Sequence, residues 1–200
     1  MRALPYLPSP ATDIAEVRMG LALLAVVTLV GIWLVATYNG LARLRLLARN
    51  AWADIDVQLK RRHDLVPSLV QAVKGHAGYE RGTLEAVTAA RQRAMAAHGP
   101  REAGDAERAL AGQVRQVLAV AEAYPDLQAG ESFLSLQRAL VEVEDHLQDA
   151  RRYYNAVVRD LNTKVQQFPA NLVAKPLGFS EAEFFGLADA SEAAVPVVDA

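Results

Sequence analysis

Residues 133–161 read FLSLQRALVEVEDHLQDARRYYNAVVRDL, and a single stripe runs through them: Phe133, Leu136, Leu140, Val143, Leu147, Ala150, Tyr154, Val157 and Leu161. The steps alternate three and four without a fault. A period near 3.5 sets all of these side chains on one side of an α-helix and favours left-handed, coiled-coil-like packing over a steep crossing. Taken from about residue 131 to 167, the helix is roughly 55 Å long. A helix of that length does not persist in water with its stripe uncovered. It therefore requires a long antiparallel partner.

The partner lies upstream. Leu41, Leu44, Ala48, Trp52, Ile55 and Leu59 are three or four apart, with polar residues on the other faces and a favourable four-spaced pair in Asp56 and Lys60. Pro67 interrupts this ladder: the helix either kinks there or restarts with Asp64 as N-cap. Periodicity resumes with Val66, Leu69 or Val70, and Val73; beyond the weakening Gly75, Gly78 and Gly82, Leu84, Val87 and Met95 carry a helix to about Ala97. Residues 98–105, HGPREAGD, read as the clearest loop in the chain. A third segment carries Leu110, Val114, Val117, Ala121 and Tyr124 and stops at Pro125-Asp126, while Phe168-Pro169-Ala170-Asn171 ends the long helix. Past that point, Ser180 and Glu183 form a capping box and Phe179 and Phe184 a hydrophobic staple, which predict a short helix over 181–187. Residues 39–187 thus form the bundle, and the alanine-rich tail 188–200 reads as disordered.

In front of the bundle, residues 19–36 (MGLALLAVVTLVGIWLVA) are almost wholly apolar, and no side chain from 19 to 42 is charged. Twenty such residues make a helix of about 30 Å, the thickness of the bilayer hydrocarbon. A buried helix of a soluble bundle keeps a polar stripe; none is present. Trp33 and Tyr38 suit the interfacial belt. The block is longer than the hydrophobic core of a cleaved signal peptide, and Asp13, Glu16, Pro5, Pro8 and Pro10 precede it rather than a basic run. We read residues 19–38 as an uncleaved transmembrane helix and 1–18 as a disordered lead. Arg2 and Arg18 stand before the span, and Arg43, Arg45 and Arg49 after it, so the positive-inside tendency puts the C-terminal domain in the cytoplasm. The expected class is all-α: an N-terminal transmembrane helix followed by an elongated antiparallel coiled-coil-like bundle.

The net charge of −2 argues against nucleic acid as a partner. With no cysteine, disulfides, thiolate zinc sites and cysteine nucleophiles are excluded. His63, His76, His98 and His146 are scattered without ligand spacing, so no metal site is expected. Neither a phosphate loop nor a GxSxG motif is present, and no cofactor or small-molecule substrate is indicated.

His63 beside Asp64 invites proton transfer, but adjacent helical residues point about 100° apart, so a cap and a half-exposed ring are the expected roles. A polar belt is the more interesting constellation. Glu144 and Arg151 flank the long stripe, Tyr154 lies in it, and Glu122, Tyr124, Asp54, Asp56 and Arg61 belong to segments that pack against it. Such a network fixes helix register more surely than it adds stability. The run Lys60-Arg61-Arg62 is read as a solvated face or as bundle salt bridges. Asn155 and Asn162 lie outside the seam, either solvated or lining a face for a second subunit or a partner protein.

Several blocks carry a resemblance: Tyr38-Asn39; residues 51–67, AWADIDVQLKRRHDLVP, with Trp52, Asp54, Asp56, Arg61, Asp64 and Pro67; 122–127, EAYPDL; 150–155, ARRYYN; 162–164, NTK; and 168–171, FPAN. In this order, over about residues 19–185, the chain resembles the LemA family of bacterial membrane proteins. The resemblance implies a single-pass anchor and an elongated antiparallel helical bundle. The family has no agreed biochemical activity, so function does not follow from it. Ser68, Gln128 and His146 depart from the family's usual residues, and the last two weaken any site built on those positions.

The leading expectation is a non-enzymatic, membrane-anchored scaffold or adaptor for protein partners or further copies of itself, held at the bacterial cell membrane by residues 19–38. The alternative is a membrane-bound enzyme using Asp54, Asp56, Arg61, Glu122 and Arg151.

Overall fold

A computed structural model describes residues 10–75 and 81–186, with side chains from residue 16 onward. Its helices are α1 (Pro10–Lys74), α2 (Arg81–Ala96), α3 (Gly99–Ala121), α4 (Pro125–Gln128), α5 (Glu131–Gln166) and α6 (Asn171–Ala174). There is no strand among the described residues. The fold is an all-α bundle with one long apolar N-terminal helix.

α1 runs unbroken for 65 residues, from ahead of the apolar block, through it, and on through the bundle. Of the two readings weighed for Pro67, the restart does not occur: α1 continues through it as one helix. Pro67 lacks an N–H, which leaves the carbonyl of His63, four residues back, without its intrahelical donor. Arg91 of α2 supplies one: its Nε–H donates to His63 O at 2.7 Å. The lead expected to be disordered to residue 18 is helical from Pro10. Residues 1–9 and the tail 188–200, expected as disordered, lie outside the described residues, as do Leu187, Gly78 and His76.

α5 lies antiparallel to α1. Lys164 approaches Gly40, Trp52 stacks on Tyr154 and Arg62 pairs with Glu144, so the register steps in opposite directions along the two helices. The core is built in three blocks along this pair. Near the apolar block, Leu41 packs with Leu161, Val165, Ala174 and Phe179. In the middle, Ala48, Ala51, Ile55 and Leu59 meet Leu147, Tyr154, Val157 and Val158. At the far end, Val66, Leu69 and Val73 join α2, α3, Phe133 and Leu140. α2 buries Leu84, Val87, Ala90 and Ala94, while Met95 faces outward.

Two local expectations are corrected. The loop read over 98–105 shrinks to Ala97 and His98, because α3 begins at Gly99. Gly99 takes φ +79°, Pro100 sits in the first turn, and Glu102 reaches back to accept the His98 N–H at 3.0 Å. Gly-Pro here opens a helix instead of separating two. The short helix over 181–187 does not form: residues 179–184 are non-helical and 185–186 bend, with Gly186 at φ +66°. The capping box of Ser180 and Glu183 loses because side chains of the bundle take the backbone groups of this segment.

Candidate functional site

Two polar features lie side by side midway along the bundle. The first is a buried ionic centre joining three helices. Arg62 of α1 and Glu107 of α3 are 5% and 3% exposed. Arg62 Nη1 donates to Glu107 Oε2 at 3.2 Å, and its Nη2 to Glu144 Oε2 of α5. The His63 Nε2–H donates to the other Glu107 oxygen at 2.5 Å. Both oxygens of the buried carboxylate are therefore occupied, as a buried charge requires.

The periodicity explains the burial. Ile55, Leu59, Arg62, Val66 and Leu69 continue the α1 stripe in steps of four and three, and Ala103, Glu107, Leu110, Val114 and Val117 do the same on α3. Arg62 and Glu107 occupy core positions of two apolar stripes, where each is tolerable only because it meets the other.

The second feature is a strap, residues 179–186, laid extended over the bundle. Asn155 clamps Phe185 from both sides, its Nδ2 donating to the carbonyl at 3.2 Å and its Oδ1 accepting the N–H at 2.9 Å. Asn162 holds Ala182 in the same way, at 3.0 and 2.8 Å. Seven residues of helix rise about 10.5 Å and three residues of extended chain about 10 Å, so the two asparagines match the spacing of the two residues they hold. Between them the Tyr154 hydroxyl donates to Glu183 O at 2.8 Å. Arg108 and Arg151 both donate to Gly186 O, at 2.7 and 3.0 Å. Every one of these bonds is to the main chain.

Aromatic contacts seat the strap. Phe185 packs edge-on to Trp52 at 5.7 Å, Trp52 tilts against Tyr154 at 5.6 Å, and Phe179 meets Tyr38 at 5.6 Å with the Arg45 guanidinium 3.9 Å above its ring. Gly104 of α3 sits so close to Gly186 that any Cβ would strike the strap backbone. Burial, with a smaller contribution from the Glu183 carboxylate, pushes the Tyr154 hydroxyl pKa up to about 12. Beside the strap, Arg108, Arg115 and Arg151 line a cleft of about 150 Å³ that Arg62, Glu107 and Glu144 also border.

The residues singled out from the sequence fall into separate places. Glu144, Arg151, Tyr154, Asn155, Asn162 and Trp52 belong to the ionic centre or the strap seat. Tyr124 is half-buried at the start of α4. Asp54, Asp56, Arg61, Asp64, Pro67 and Glu122 are exposed, so the belt of Asp54, Asp56, Arg61, Glu122 and Arg151 is not assembled. Asn155 and Asn162 are neither solvated nor free to line a partner face; the chain's own strap occupies them. Sequence reasoning missed Glu107, Arg91, Arg108 and Gly104, and it named Arg62 only within the run Lys60-Arg61-Arg62, for which bundle salt bridges were one of two readings. For Arg62 and Glu107 the signal was their position in the apolar stripes. Among the described residues no group of three or more His, Asp or Glu is placed to hold a metal ion.

The LemA family profile matches residues 51–199. MamQ of Magnetospirillum gryphiswaldense, a magnetosome protein, is 23% identical over 178 residues, covering 76% of this chain and 65% of MamQ. Magnetosome protein MamQ 1 of Paramagnetospirillum magneticum is 34% identical over 70 residues, 35% of this chain and 26% of that protein. Protein LemA of Metamycoplasma hominis is 25% identical over 148 residues, 74% of this chain and 68% of the relative. The chain spans from about a quarter to 65% of the length of the MamQ proteins it matches. With the profile covering the whole bundle from Ala51 onward, the chain belongs to the LemA family.

Proposed function

We propose that this protein is a membrane-anchored scaffold or adaptor at the bacterial cell membrane, with residues 19–38 spanning the bilayer and the bundle in the cytoplasm. The observation that carries the reading is the unbroken helix α1. Its apolar window has a mean hydropathy of 2.5, none of it buried within the fold, and the same helix continues as the spine of the bundle. A scaffold needs a surface held in fixed orientation to its anchor; a helix without a hinge supplies that. The outer faces of the bundle offer Leu46 and Val57 on α1 and Leu134 and Val141 on α5, all exposed apolar residues ringed by charge. The relatives named for magnetosomes support a membrane setting for the family.

The test has two parts. After lysis without detergent, the full-length protein is expected in the high-speed pellet. A photo-crosslinker at Val57 or Val141, activated in intact cells, is expected to give discrete adducts with another protein or a second copy. Recovery in the supernatant removes the anchor, and absence of adducts from both faces removes the scaffold.

A further inference from the structure

Along one face of α1, exposure falls from 49% at Val30 through 36% at Leu34 and 7% at Thr37 to 0% at Leu41. The end of the bundle therefore begins to cover α1 inside the apolar block, not beyond it. What lies at that level is the turn from α5 to the strap, residues 167–178. Val165, Ala174 and Phe179 pack on Leu41, Lys164 reaches Gly40, and α6 contacts α1. This turn carries Phe168 at 75% exposure, Leu172 at 64% and Leu177 at 41%, a set of large apolar side chains turned away from the core. Exposed apolar groups clustered at one end of a fold mark a surface with an occupant.

Along the chain the charges nearest the turn are basic, although Glu181 lines a pocket with Arg45 and Arg49. No acidic side chain lies between Glu16 and Asp54 or between Asp160 and Glu181, whereas Arg43, Arg45, Arg49, Lys164 and Lys175 do. Arg45 is turned inward to Phe179 and the Gly178 carbonyl; Arg43, Arg49 and Lys175 are exposed. Apolar groups below a basic collar, at the height where the anchor leaves the hydrocarbon, match the layering of an anionic lipid leaflet.

We propose that residues 167–178 form a foot that inserts into the interface of the leaflet through which α1 emerges, with Phe168, Leu172 and Leu177 among the upper acyl chains and Arg43 and Lys175 at the lipid phosphates. The foot rests on the anchor reading above and adds a second, monotopic contact that holds the bundle upright.

The chain has no cysteine, which makes single-cysteine probes clean. Full-length Phe168→Cys, Leu172→Cys, Val141→Cys and Val27→Cys are labelled with an environment-sensitive fluorophore. Each is reconstituted in phosphatidylcholine–phosphatidylglycerol vesicles and quenched either by nitroxide lipids or by aqueous iodide. The expected result is a blue-shifted emission at 168 and 172, quenched by lipid nitroxide at a depth about 5–10 Å below the headgroups, with position 141 quenched by iodide. If 168 and 172 behave like 141 while 27 is lipid-quenched, the foot is refuted and the anchor stands. Shielding of 168 and 172 from both quenchers means a second copy or another protein covers the turn, and also refutes the foot. If 27 is itself water-accessible, the anchor reading fails and takes the foot with it.

Discussion

The Nε–H of Arg91 donates to the carbonyl oxygen of His63 at 2.7 Å, and that carbonyl is the one Pro67 leaves without a donor. A side chain from a neighbouring helix thus repairs the backbone of α1 at its weakest point. Arg91→Ala is expected to destabilise the protein by roughly 1 kcal/mol, the lower end of the cost of leaving a carbonyl unsatisfied, because this one is only partly buried. The same change in a Pro67→Ala background, where residue 67 again has an N–H, is expected to cost distinctly less. Thermal melts in detergent of the two single variants and the double variant measure the coupling; additive losses would refute the repair.

Arg62 and Glu107 form the next test. Removing only Arg62, as Arg62→Met, leaves Glu107 buried with His63 as its remaining partner, and a loss of about 3–5 kcal/mol is expected. Replacing both, as Arg62→Met with Glu107→Leu, is expected to recover most of it, because the pair sits in two apolar stripes. Denaturant titration of the three proteins checks this. A double variant no better than the single one would mean that the pair holds the helix order, not merely its own charge.

The asparagine clamps give a prediction that needs no stability measurement. The Ala182 and Phe185 amide hydrogens are bonded to Asn162 and Asn155 and are expected to exchange slowly. In Asn155→Ala with Asn162→Ala, exchange over 182–186 is expected to rise by about ten- to a hundredfold, equivalent to roughly 1.4–2.8 kcal/mol of local opening. Gly104→Ala is expected to do the same by a different route, pushing Gly186 away. Hydrogen exchange read by mass spectrometry on the C-terminal peptide decides. Protection unchanged in both variants would show that the aromatic contacts alone seat the strap.

Tyr154 predicts a pH dependence. Its hydroxyl is held at a pKa of about 12, against 10.0 for the free group, so the folded state keeps the proton more tightly than the unfolded chain does. The resulting stabilisation is complete below pH 10 and is lost as pH rises from there to about 12; a two-unit shift is worth roughly 2–3 kcal/mol. Tyr154→Phe is expected to lower stability at neutral pH through the lost bond to Glu183 O, and to flatten this part of the alkaline decline. Melts of both proteins between pH 8 and 11.5 are the measurement.

The stripes at 133–161 and 41–59 fixed the long antiparallel pair from spacing alone, and the apolar block identified the N-terminal helix. What periodicity does not report is a contact made by backbone. The strap is bound through its own N–H and C=O groups, which every sequence possesses, so nothing in Ser180-Glu181-Ala182-Glu183 signalled that Asn155 and Asn162 would outbid a capping box. Continuity at Pro67 was hidden for a related reason: the rescuing donor, Arg91, is on another helix. Arg62 and Glu107 were legible in principle, since an ionised residue inside an apolar stripe must have a buried counterpart. The run Lys60-Arg61-Arg62 names the right region, but only Arg62 falls on the stripe.

An uninterrupted α1 also acts as a ruler. From Tyr38 to Lys74 it rises about 54 Å at the standard pitch, so under the proposed anchoring by residues 19–38 the far tip of the bundle stands that distance above the lipid. A second membrane protein engaging the tip would need a soluble portion of comparable height, whereas a short one could meet only the lower storey around Leu46.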